Sequence, residues 1–468
     1  MLSRRNFASV SFSLLALLGG CDRPASTPTL PPAESSTSIP AERASLPNAA
    51  PRAVAAPSAK PLSAGDALRT LEGLGNAEEQ ARTAAQMASS MSVEQVRVWI
   101  GELINAPPSA SRDALLLAAL QKLAETSPSE ALQMAMSLEP ATAEKIARKV
   151  AEVWAKSDHQ AVYLRAMSLP QGPMRDQLQA VAVRFWSEQN PAEAFQAMAE
   201  LPYGDGGVLI WMAARKLSQQ NMEQAFQMLD LIQDPQVWDT AAGRVFETFA
   251  LKDPKGATEM LLDQTDANVG VPLGYALGGY FASNSVPEGM AILNQIGNDR
   301  VADHFIHGMI HRLNKKDMTP LMENLASLEN TTHRQILAEG VARDLSKVNP
   351  DGATAWIPNI ADEEARARAY QGVGQGYAER DSQATEQWLQ TLPPGKDRRY
   401  AIFGYATQNA AINPQQSANW ALQIPEQDIR ERLLRTVLSS WRWRNQEQAQ
   451  SWAASAGYSH LMLQRPTN

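Results

Sequence analysis

A single cysteine, Cys21, in 468 residues excludes any disulfide within the chain. Histidine is scarce, at six, and aromatics make up only 6%. No paired carboxylates, Ser-His-Asp set or Cys-His set stands at a spacing that differs from ordinary helix-surface chemistry, which argues against an enzyme. From about Ala64 onward the period-two alternation of a half-buried strand is missing, which excludes a sheet-based body. Excess positive charge is lacking too: residues 64–468 carry 36 basic and 47 acidic side chains, a net of −11. That balance argues against nucleic acid or an anionic membrane as the main partner. What remains is a chain that is 44% hydrophobic and 20% charged, the composition of a folded, water-exposed body.

The N-terminus reads as a signal peptide, residues 1–20. Arg4 and Arg5 form a basic start, and the apolar segment Phe7 to Leu18 is too short to span a bilayer. Leu18-Gly19-Gly20-Cys21 follows and resembles a bacterial lipobox, in which the cysteine thiol becomes the lipid attachment point. Ser3-Arg4-Arg5-Asn6-Phe7 also resembles the twin-arginine export motif, although Ala8 and Ser9 depart from it, so export by the general route stays open. Asp22 resembles the signal that retains some lipoproteins in the inner membrane. These resemblances imply a bacterial envelope protein, lipid-anchored and facing the periplasm, with the inner membrane favoured over the outer. Residues 21–63 then form a lipidated tether: positions 22–63 hold nine prolines, ten alanines and seven serines, too little apolar surface for a core.

The rest of the chain repeats itself. Junctions fall at Ser127-Pro128, Ser157-Asp158, Asn190-Pro191, Asn221-Met222, Asp253-Pro254, Val286-Pro287, Asp317-Met318, Asn349-Pro350, Asp381-Ser382, Asn413-Pro414 and Asn445-Gln446, at steps of 30 to 33 residues. Ten of the eleven first members are Ser, Asp or Asn, whose side chains accept from the free N–H groups of a helix start. Six of the second members are Pro, which lacks a donor where none is needed. Alanine recurs three residues in (Ala131, Ala194, Ala353, Ala449), and a large residue six in (Met134, Leu164, Trp356, Trp388, Trp420, Trp452). A second helix carries a small residue near its middle (Ala213, Gly243, Gly308, Gly340, Gly372, Gly404) and a large one at its end (Trp154, Phe249, Phe281, Tyr377, Trp441). Small residues let helices approach, and large ones fill the groove between hairpins.

This pattern resembles the tetratricopeptide repeat, with Trp356, Gly372 and Tyr377 lying 6, 22 and 27 residues after Pro350. It departs from that family in its period of about 32 and in Leu or Ile where the first helix should be small. A half-a-tetratricopeptide or HEAT-like hairpin fits nearly as well. The resemblance implies an all-α, right-handed superhelical solenoid of about eleven hairpins over residues 128–456. Residues 64–127 read as an N-terminal helical cap and 457–468 as a C-terminal tail.

Four constellations remain. His304, His307 and His311 share one helix face and are the one candidate metal set, although i and i+7 lie ~10 Å apart along a helix. A polar, partly exposed helix face is the favoured reading of them. Gly372-Val373-Gly374-Gln375-Gly376 superficially matches a nucleotide loop but sits inside a second helix, where helix packing explains it. Arg442 and Arg444, within Trp441-Arg442-Trp443-Arg444, form a basic aromatic patch that is also readable as a solvated face. In the tetratricopeptide arrangement first helices line the concave side, which singles out Asn359, Gln387, Gln390, Asn419 and Gln423 as partner-binding amides; simple solvation of those amides is the rival. The expectation is a non-catalytic scaffold or peptide-binding solenoid with a protein partner, no nucleic acid and no cofactor. A metal-dependent enzyme around His304 and a plain structural spacer are the alternatives.

Overall fold

A computed structural model describes residues 62–313 and 317–462. The readings of Arg4, Arg5, Cys21, Asp22 and most of the tether lie outside these residues. The described residues hold twenty-five α-helices and short 3-10 turns, packed in sequential order, and no strand. No helix among them is long and apolar enough to cross a membrane. The chain divides into two compact units between Gln189 and Asn190, within the stretch that the sequence reads as one run.

In the first unit four helices, from Ala64–Glu72 to Ala110–Ala124, precede two hairpins, Pro128–Met136 with Pro140–Ser157 and His159–Met167 with Pro173–Gln189. The core runs from Ala64 and Leu71 through Trp99, Leu116 and Leu123 to Val150 and Ala182. In the second unit short first helices such as Pro191–Ala199, Pro254–Asp263 and Pro414–Ala421 alternate with longer second helices such as Pro235–Lys252, Thr331–Val348 and Gln427–Arg444.

Cap chemistry starts the first helices as the junction residues predict. Asn190, Asn221, Asp253, Asn349, Asp381, Asn413 and Asn445 each accept a hydrogen bond from a backbone N–H two or three residues into the helix. Each such cap stabilises its helix by ~1 kcal/mol. Three junctions shift by one residue. Asp158, not Ser157, caps His159–Met167, because its carboxylate reaches Ala161 N at 2.8 Å. The register moves with it: Val162 is buried where Ala161 was expected, and Leu164 is left 69% exposed. Ser285 takes the N-cap position where Val286 was expected. At the third departure, Asp317 accepts from Thr319 N at 2.9 Å and the helix begins at Thr319 rather than Met318.

An arginine near the start of several second helices ties the layers together. Arg334 donates to Leu328 O in its own hairpin and to Asp362, the N-cap of the next second helix, at 3.0 Å. Arg366 repeats this with Ile360 O and Asp397 at 3.0 Å, and Arg430 with Ile424 O and the Tyr458 hydroxyl at 2.8 Å. In the first unit the buried Arg112 donates to Leu103 O and Ile104 O and pairs with Glu139, the N-cap of Pro140–Ser157. Each clamp satisfies carbonyls at the end of one helix while engaging the start of another.

His333, on Thr331–Val348, is buried, and neither ring nitrogen has a hydrogen-bond partner. Burial holds its pKa below the ordinary 6.5, partly offset by Asp299, whose carboxylate is 3.7 Å away. A lowered folded pKa means that the unfolded chain takes up the proton first. Stability therefore holds above pH 6.5 and falls as the pH drops below it. Urea unfolding between pH 7.5 and 5 (about a unit or more on either side of the usual histidine value) should show this slope, and His333→Leu should flatten it. An unchanged slope in the variant would remove His333 as its source.

Candidate functional site

The five first-helix amides are all exposed. Two are already engaged: Asn359 Nδ2 donates to Ala355 O at 3.1 Å, and Gln423 Oε1 accepts from Arg398 Nη2 at 2.7 Å. Gln387, Gln390 and Asn419 project from Ser382–Thr391 and Pro414–Ala421.

The histidines of Asp299–Leu313 do not converge. His304 Nδ1 lies 2.9 Å from Arg300 O, and His307 Nδ1 lies 2.8 Å from Asp303 O, each turned back on its own helix. Their ring centroids are 6.3 Å apart, and the His311 ring instead sits 6.1 Å from that of Tyr275. Among the described residues no group of three His, Cys, Asp or Glu side chains is placed to hold a metal ion. A straight helix separates i from i+7 by two turns, so the set expected around His304 is not assembled.

The glycine run 372–376 is a packing surface. It lies inside Glu363–Arg380, where Gly376 faces Arg343 O of the preceding second helix and Gly374 faces Ala401 O of the following one. An added Cβ would stand 2.0 and 2.2 Å from those oxygens, so only glycine permits the approach. In the basic patch the two tryptophans differ: Trp441 is buried against Trp452, whereas Trp443 is 87% exposed between Arg442 and Arg444.

The sequence reading missed a row of polar and aromatic side chains along the second helices. His307 Nδ1 lies 3.2 Å from Asp303 Oδ1 on the first of them. On the next helix Glu339 accepts from Gln371 Nε2 at 3.0 Å and pairs with Arg368 at 3.4 Å, both from the helix beyond. Burial pushes the Glu339 carboxyl up, Arg368 and Arg343 oppose this, and Asp303 adds to it. The Arg368 guanidinium then lies over the Tyr400 ring at 5.8 Å, and that of Arg432 over the Phe403 ring at 5.8 Å. The row thus crosses five second helices, acidic and histidine-bearing at one end and basic at the other. Its signal in the sequence was the recurrence at 32 residues of polar or aromatic positions inside helices otherwise filled by core residues: His307, Glu339, Gln371, Phe403 and Arg435.

No family model and no curated protein matches the chain. Among solved structures it is similar to the crystal structure of an engineered protein, a Northeast Structural Genomics Consortium target. The alignment has 12% identity and a TM-score of 0.17, and covers 80% of this chain and 97% of the other. At that level of superposition the description of the fold rests on this chain's own helices.

Proposed function

We propose that the protein is a lipid-anchored scaffold of the bacterial envelope that binds an extended segment of a protein partner and performs no catalysis. Its hairpins are proposed to form a tetratricopeptide-like, right-handed superhelix held off the membrane by the proline-rich tether after Cys21. The observation that carries the binding reading is the row from Asp303 to Arg432, in which polar and aromatic groups recur across successive second helices. A repeated row on a stiff support suits a ligand that is itself linear. The absence of convergence among His304, His307 and His311 favours binding over the metal-dependent alternative.

The test is photo-crosslinking in living cells, with the reactive residue placed in turn at Gln387, Asn419, Gln375 and Ser439, so that both helix layers are sampled. A discrete adduct in the membrane fraction is expected, and Cys21→Ala should move both protein and adduct to the soluble fraction. No adduct from any position would leave the spacer reading in its place. An adduct that stays with the membrane in Cys21→Ala would overturn the anchor.

A further inference from the structure

Within the second unit the two helix layers are not equally spaced. Second helices meet backbone to backbone at three joints, as Gly278 does at Phe305 O, Gly376 at Arg343 O and Gly374 at Ala401 O, and less closely at the others, Lys396–Asn409 with Gln427–Arg444 included, whereas first helices of neighbouring hairpins meet only at isolated points. A row of hairpins that is tighter in one layer bends toward that layer. We infer that the second helices between Asp299 and Arg444 form the inner face, and that this face takes an acidic extended peptide whose carboxylates lie on Arg368, Arg432 and Arg435. The inference rests on the binding reading above and names the ligand class that its second-helix row would take.

Charge is the first support. Residues 64–468 are acidic by eleven charges, yet the second helices Lys396–Asn409 and Gln427–Arg444 together carry eight basic and three acidic side chains. Arg399 and Arg430 are tied into inter-hairpin bonds with Glu426 and Tyr458. Arg432 is not: it is exposed and has no ion-pair partner among the described residues. Arg368 and Arg435 are shared, since each also pairs with a carboxylate, Glu339 at 3.4 Å and Glu431 at 3.6 Å, so Arg432 anchors the site. Geometry is the second support. Arg432 and Arg368 each lie over a ring of the same neighbouring helix, Phe403 and Tyr400. A guanidinium held over a ring offers its planar fork sideways, the arrangement that grips a carboxylate through two hydrogen bonds. Trp443 lies about two turns beyond Arg435 on the same helix and is 87% exposed, a further surface for an apolar side chain of the peptide. A flat anionic membrane fits less well, because the row turns acidic at Glu339 and Asp303 instead of staying basic.

The probe is a fluorescein-labelled peptide of alternating Glu and Ala, titrated against the full mature chain and followed by anisotropy. Saturable binding that weakens with salt is expected. Arg432→Glu combined with Arg435→Glu should weaken it by about tenfold or more, and Arg432→Lys by a few-fold, since lysine keeps the charge but loses the fork. Alanine at the five first-helix amides should leave it unchanged. Circular dichroism checks that each variant is folded, and Arg432→Lys keeps the test open if the glutamate pair does not fold. The inference is overturned if the glutamate pair binds like wild type, if a Lys-Ala peptide binds equally, or if only phosphatidylglycerol vesicles bind. Should the peptide fail while cellular crosslinks persist, this inference falls and the binding reading stands; should both fail, both fall.

Discussion

Gly278→Ala is expected to destabilise the second unit by ~2 kcal/mol or more. The added Cβ would stand 2.0 Å from Phe305 O, a backbone atom that cannot swing aside. Forcing the helices Ala267–Asn284 and Asp299–Leu313 apart should cost ~3 kcal/mol, offset by ~1 kcal/mol of helix propensity gained from alanine. Gly308 stands in the reciprocal position, 2.1 Å from Tyr275 O, so Gly308→Ala should behave alike. One separation of the two helices accommodates both methyls, and the double variant should therefore lose less than the sum of the singles. Gly243 supplies the control. Nothing lies within 4 Å of its added Cβ, and Gly243→Ala should be neutral or stabilising by up to ~1 kcal/mol. Urea unfolding of the four variants decides the matter; a Gly278→Ala chain as stable as Gly243→Ala would show that the close contact carries no energetic weight.

Arg112→Ala should be the most damaging single change in the first unit. Its side chain is 1% exposed, donates to Leu103 O at 2.9 Å and Ile104 O at 3.2 Å, and meets Glu139 with two nitrogens at 3.2 and 3.3 Å. Truncation would strip partners from two carbonyls at a helix end and leave a cavity where the guanidinium was, a loss of ~3 kcal/mol. Glu139→Gln should do far less, because that side chain is half exposed and an amide oxygen still accepts. Arg112 also holds the Glu139 carboxyl below the usual carboxylate range. With the folded pKa lowered, this contribution is present above the unfolded value and is lost as pH falls through the folded one. Urea titrations at neutral pH, with wild type as reference, would contradict this account if Arg112→Ala and Glu139→Gln shifted the midpoint equally.

The repeat boundaries were legible because cap residues and prolines act locally. Asn190, Asp253, Asn349 and Asn413 announce helix starts whatever packs around them. Where two cap formers stood together, as Ser157 and Asp158 do, the residue sequence could not rank them, and the register slipped by one. The glycines of second helices were readable as contact points only as a class. Gly308 makes the contact and Gly243 does not, and that difference depends on which neighbour arrives. The arginine clamps went unseen for a related reason. Arg334 and Arg366 look like surface charge on their own helices, and the carboxylates that explain them, Asp362 and Asp397, stand 28 and 31 residues away. The same distance hides the row from Asp303 to Arg432, which becomes one surface only when five helices are side by side.

The clamps of the second unit reach from one hairpin to the next and no further. Such a chain can change its length in whole steps, since duplication of a hairpin supplies its own donors and acceptors. The glycine contacts set the exception: a copy inserted between the helices of Gly278 and Gly308, or between those of Gly374 and Gly404, would separate surfaces matched to each other at close range. Growth by duplication is therefore open at some joints of this protein and closed at the glycine-paired ones.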